Sequence, residues 1–174
     1  MLRRSSSLLV AVYLLAIVLA NLSVARFGPA ALFVNAFLFI GLDLSSRDRL
    51  HEAWSGHSLA SRMGLLILAG SFLSWLINRN AGPIAIASCI AFAASAVADG
   101  FVYHGLRNRS RLARVNGSNT IGAMVDSLLF PTLAFGAFDP WVVAGQFLAK
   151  VAGGAFWGWI LLGPLGTRNA TSRS

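Results

Sequence analysis

The chain has 174 residues, 56% of them hydrophobic and only 11% charged, with a formal net charge of +8. Soluble domains carry about 25% charged residues, so this composition excludes an ordinary soluble protein and indicates an integral membrane protein. At about 20 residues per span, the length accommodates roughly six spans and no separate soluble domain, so 1–174 reads as a single transmembrane domain.

Apolar runs occur at about 8–25, 30–44, 61–77, 82–104, 119–138 and 141–163. The first follows Arg3 and Arg4, as a signal peptide would. Its apolar stretch is long and "VARFGP" is a poor cleavage site, so it reads as a retained helix. Tight breakers, "RFGP" at 26–29, "NRNAGP" at 78–83 and "FDP" at 138–140, join the runs in pairs. The other connections are longer and basic: Arg47, Arg49 and Arg62 in one, and Arg107, Arg109, Arg111 and Arg114 in the next. Together with Arg3, Arg4, Arg168 and Arg173 they put eleven of the fourteen basic residues on one side. The positive-inside rule then predicts an all-α six-helix bundle with cytoplasmic N- and C-termini. A solvated loop facing anionic lipid accounts for "RNRSRLAR" without nucleic acid. The final "TRNATSRS" reads as a disordered tail.

Within "RDRLHEAW", 47–54, Leu50 and Trp54 one turn apart suit a short interfacial helix. The alternative is a cytoplasmic gate in which Arg47 pairs with Asp43 or Asp48. The single cysteine, Cys89, lies in an apolar run and reads as a small buried residue.

Charges inside spans are the informative residues. Each costs about 2.5–3.5 kcal/mol at a helix centre, and such residues usually face a bundle interior and mark a site. Asp99, Asp126 and Lys150 are the three cases here. Helical spacing shows which residues share their faces. Ser118, Gly122 and Asp126 recur at four-residue steps, with Asn119 on the adjoining stripe. Ala91, Ser95, Asp99 and Tyr103 do the same in the fourth run, and Gln146 and Lys150 in the sixth. Asn35, Phe39 and Asp43 line one face of the second run, and the first contributes Asn21. Five polar stripes with small residues fit one shared cavity. The competing reading is helix packing through buried polar pairs, and "GAFWG" at 154–158 is a GxxxG that suits packing.

Catalysis is not expected. Asp99-Gly100 starts a pattern that membrane phosphotransferases extend with further aspartates, and these do not follow. His51, His57 and His104 all fall near the basic boundary. No metal-ligand set and no phosphate loop is present, and no cofactor is implied.

Four stretches, "GLDLSSR", "AFAASAVADGFVYHGLR", "NGSNTIGAMVDSLLFPTLAFG" and "FLAKV", resemble the VUT family of queuosine-precursor transporters over about residues 10–163. The resemblance implies a multi-pass transporter of the cytoplasmic membrane that imports the 7-deazaguanine bases preQ0 and preQ1. Positions carried over are Asp43 and Arg47, Ser95 and Asp99, Asn119 and Asp126, and Lys150. Ala96 stands where members commonly carry Glu or Gln. The ligand would be a small molecule in a lipid bilayer, with no nucleic acid, and a homo-oligomer is compatible with it. Asp126 or Asp99 would accept adjacent N–H donors of the guanine edge. Asn119, Asn35 and Gln146 would read the remaining polar atoms, and Phe39, Tyr103 or Trp157 would stack on the ring. Lys150 would pair with an Asp in the empty site, and uptake is either proton-coupled or facilitated. Two alternatives stand beside this reading: a carrier of another heterocycle or vitamin working with an ATPase, and a structural membrane protein whose buried charges only lock helices.

Overall fold

The structure, a computed structural model, describes residues 2–43, 46, 50, 54 and 59–162. Among these every regular element is helical. α1 spans Leu2–Phe27 and α2 starts at Leu32–Asn35, continuing through a π turn at Ala36–Ile40. α3 spans Leu59–Ile77, α4 Gly82–Gly105, α5 Arg111–Phe135 and α6 Pro140–Leu162. Two stretches, Ser7–Asp43 and Arg79–Gly105, are long and apolar enough to cross a membrane, and Ser61–Ile77 is a shorter apolar helix.

Ser7–Asp43 is not one straight rod. Gly28, at φ 62°, and Pro29 interrupt it with a 3-10 turn at Gly28–Ala31. Beyond that turn, Asn35 Nδ2 donates to the Ala20 carbonyl at 3.1 Å. Fifteen residues of straight helix would separate those groups by about 22 Å, so α1 and α2 form an antiparallel hairpin. Two further hairpins follow the same plan. Asn78 accepts from the Asn80 N–H at 3.0 Å and turns α3 into α4. Gly136 at φ 70° ends α5 in the left-handed conformation that favours glycine. Asp139 Oδ1 then accepts from the backbone of Trp141 at 2.9 Å and Val142 at 3.3 Å, capping α6.

α5 begins earlier than its apolar run. Ser110 caps it by accepting from Ala113 N–H at 3.3 Å, so Arg111 and Arg114 belong to the helix rather than to the loop. The Arg114 guanidinium lies 4.1 Å from the centre of the Tyr103 ring, which ties the start of α5 to the end of α4.

The helices pack in a ring: α1 on α2 and α3, α3 on α4, α4 on α5, α5 on α6, and α6 back on the π segment of α2. The α2–α6 seam is a backbone contact. A Cβ on Gly153 would collide with the Phe37 carbonyl, and one on Gly41 would lie 2.5 Å from the Gly153 carbonyl carbon. The close approach is thus made by Gly41 and Gly153, with the backbone N of Gly154, the first glycine of "GAFWG", 2.9 Å from where a Gly41 Cβ would stand.

Two apolar clusters fill the ring. Val24, Leu32 and Ile84, with Phe130, Phe135 and Val142 packed on them, lie near the three tight turns. Tyr13, Ile17, Leu50, Met63, Ile67 and Phe92 form the other, with Ile40 and Trp54 against it. Leu50 is wholly buried there, and the Trp54 ring sits under Arg62 at 5.5 Å. These two residues of "RDRLHEAW" pack on the protein, and the Trp54 N–H donates to the Leu50 carbonyl at 2.9 Å, one helical turn apart. The rest of that stretch, including Arg47 and Asp48, lies outside the described residues.

Candidate functional site

Buried polar side chains gather between the two apolar clusters. Asp126 on α5 and Lys150 on α6 form an ion pair, Nζ to Oδ2 at 2.6 Å, with both side chains almost fully enclosed. Lys150 Nζ also donates to Ser127 Oγ at 3.0 Å. Gln146 lies one turn before Lys150 on the same face of α6. It is 2% exposed, and its Nε2 has no hydrogen-bond partner among the described residues.

These three side chains line a cavity together with Asn21, Asn35 and Ser88. The space between its walls, open mouth included, is about 340 Å³. Val24, Leu32 and Phe130 belong both to the cavity wall and to the cluster at the tight turns. Phe92 and Ile40 belong both to the wall and to the other cluster. The polar chamber thus has an apolar roof and an apolar floor. On each contributing helix the lining residues stand within about ten residues of a tight turn, or about 15 Å along the axis.

α5 departs from regular helix beside the ion pair. Pro131 sits inside the helix and has no N–H, so the Ser127 carbonyl lacks its usual donor four residues ahead. The π turn at Ala36–Ile40 contributes two further wall residues, Ala36 and Ile40. Irregular helical backbone of this kind is frequent at functional sites.

The expected site residues divide between two levels. Asn21, Asn35, Asp126, Gln146 and Lys150 line the cavity. Asp99 does not, and the partner of Lys150 is Asp126. Asp99 is half-buried between α4 and α5, with its Cβ 3.5 Å from where a Gly122 Cβ would stand. That is seven residues past Phe92, about 10 Å farther along α4. Ser95 is spent on packing: its Oγ donates to the Gly122 carbonyl at 2.8 Å and joins α4 to α5. Asn119 and Asp43 also lie outside the cavity lining, Asn119 half-buried and Asp43 buried.

Two expected readers are already committed to the protein. Asn35 Oδ1 accepts from Ser23 Oγ at 2.7 Å while its Nδ2 holds the Ala20 carbonyl, so the amide locks the first hairpin. Asn21 Nδ2 donates to Ser74 Oγ at 3.1 Å, joining α1 to α3.

The expected stacking rings are elsewhere. Phe39, Tyr103 and Trp157 are not on the cavity wall; Tyr103 faces Arg114, and Trp157 packs edge-on to Phe156. The rings at the cavity are Phe92 and Phe130. Spacing held a signal for both: Phe130 is four residues after Asp126, and Ser88 and Phe92 continue the Ser95–Asp99 stripe toward the tight turn. Among the described residues no group of His, Cys, Asp and Glu side chains could hold a metal ion.

A family model described as "Putative vitamin uptake transporter" matches residues 7–162. No curated protein and no solved structure matches the chain.

Proposed function

We propose, from the premise that the chain belongs to the vitamin uptake transporter family, that it imports 7-deazaguanine bases for salvage across the cytoplasmic membrane. Membership makes it an uptake transporter for a small molecule in a lipid bilayer. The finer reading adds six crossings with both termini cytoplasmic, and preQ0 or preQ1 as cargo.

The observation that carries the reading is the enclosed Asp126–Lys150 pair beside an uncommitted Gln146 amide, between Phe92 and Phe130. Asp126 Oδ2 is held by Lys150, and the carboxylate has a second oxygen with its own lone pairs. A carboxylate oxygen accepts the ring N–H of a guanine-like edge, and the Gln146 amide donates to the neighbouring carbonyl. Phe92 below and Phe130 above offer flat apolar faces to a flat ring, which such faces hold without regard to its edge pattern. Asp99, Asn119 and Asp43 then form a second polar level on the path toward the basic loops.

Membranes reject an unpaired charge, so an empty chamber with a neutral acid–base pair is stable while it waits for ligand. Opening toward the tight turns requires the Val24–Leu32–Phe130 roof to part, and opening toward the basic loops requires the Phe92–Ile40 floor to part. Alternating movement of roof and floor carries the base inward. Proton-coupled uptake predicts that a protonophore lowers the initial rate, and facilitated uptake predicts an unchanged rate.

The test is rescue. In a strain that cannot make queuosine precursors and lacks its own importer, the chain restores queuosine in tRNA at limiting preQ0 or preQ1. No restoration by a chain that reaches the membrane rejects the reading. The family description favours one alternative cargo, a vitamin, and co-purification of an ATPase would support it.

A further inference from the structure

We propose that the chamber selects an uncharged ligand, taking preQ0, whose side arm is a neutral nitrile, in preference to preQ1, whose side arm is an aminomethyl group. This rests on the reading of the chain as a 7-deazaguanine importer. An aliphatic primary amine is protonated at neutral pH, as lysine is, so the two bases differ by one full positive charge.

The charge inventory of the chamber argues for this selection. Among the described residues its wall holds one cation, Lys150, and one anion, Asp126, already paired at 2.6 Å. The remaining lining residues are neutral: Asn21, Asn35, Ser88, Gln146 and apolar side chains. Asp99 and Asp43 are not on the wall. Among the described residues, a cationic ligand would therefore meet a buried ammonium and no second carboxylate on the cavity wall to receive it. Competition for Asp126 does not help, because it leaves Lys150 as the uncompensated charge instead.

The polar groups on the wall suit a neutral edge. Gln146 supplies amide hydrogens, Asp126 its second oxygen, and Lys150 the third proton left after its bonds to Asp126 and Ser127. Two donors and one acceptor match the adjacent carbonyl and N–H that both bases share, which leaves the side arm to decide between them. Gln146 occupies the position where an acid would complete a cation site.

The experiment measures initial uptake of labelled preQ0 and preQ1, each alone at equal subsaturating concentration, in the importer-deficient strain, with membrane abundance followed by immunoblot. preQ0 is expected to enter faster by about tenfold, equivalent to about 1.4 kcal/mol. Gln146→Glu, which adds a second carboxylate beside Lys150, is expected to narrow or invert the ratio. Ser88→Asp places the acid on α4 instead and serves if the α6 variant does not reach the membrane. Equal rates, or faster preQ1 uptake, by the unaltered chain overturn charge selection and leave the importer reading intact. Uptake of neither base overturns both. A preQ0 preference unchanged in an active Gln146→Glu variant also overturns charge selection.

Discussion

Asp126 and Lys150 form a buried pair and carry a proposed ligand role, and single and paired substitutions distinguish the two. Removing one partner of a buried ion pair leaves an uncompensated charge and costs about 3–5 kcal/mol, whereas replacing both by apolar residues is often neutral or stabilising. Lys150→Met is therefore expected to lower the thermal midpoint in detergent, and Asp126→Leu with Lys150→Met to recover it. If the pair also reads the ligand, the double variant stays stable and still fails to transport. Full uptake by the double variant would instead identify the pair as a packing device. Asp126→Asn keeps the shape and loses the charge, and is expected to abolish base uptake while the protein still inserts. Asn35 behaves differently. Both ends of its amide bind α1 groups, so its replacement by Ala acts on hairpin stability, not on cargo choice.

Among the elements, the α2–α6 seam is the tightest backbone approach. A methyl at Gly153 meets the Phe37 carbonyl, which belongs to a helix and cannot swing aside as a side chain does. Gly153→Ala is expected to destabilise the protein by about 1–3 kcal/mol, the usual range for overpacking. A methyl at Gly64, in α3, would meet nothing within 4 Å, so Gly64→Ala is expected to be neutral or slightly favourable through helix propensity. Thermal unfolding of the two variants in one detergent checks the contrast. GxxxG spacing pointed to α6 packing, and the seam takes in Gly153 just before the motif together with the backbone N of Gly154. Which glycine meets a neighbour depends on helix rotation, and Gly153, three residues after Lys150 and seven after Gln146, continues their face of α6.

For the whole molecule, three hairpins place the tight turns at one end and the basic connections at the other. The chamber lies nearer the tight turns, which the positive-inside rule assigns to the outside. With Cys89 replaced by Ser, Asn80→Cys is expected to react with an impermeant thiol reagent on intact cells. Arg109→Cys is expected to react only after the cells are permeabilised. Labelling of Arg109→Cys in intact cells would reverse the orientation. Both positions are exposed, so access to the reagent, not burial, decides the result.

Composition alone determined the membrane environment, because a chain with 11% charged residues has too little polar surface for water. Gly, Pro and Asn at the breakers determined where helices reverse, since those residues impose local backbone geometry. Four-residue spacing also found the stripes bearing Asp126, Lys150, Gln146 and Asn35. It did not separate an amide left without a partner from one bound into the structure. Asn35 and Gln146 are the same chemistry on similar stripes, yet one is saturated by Ser23 and Ala20 and the other has no partner for its Nε2 among the described residues. Nor did spacing decide that Lys150 meets Asp126 rather than Asp99. Both acids lie on polar stripes, and only the axial level at which α4, α5 and α6 pack brings one of them to the ammonium. Periodicity reports direction around a helix axis, and tertiary packing decides height along it and the neighbour met there.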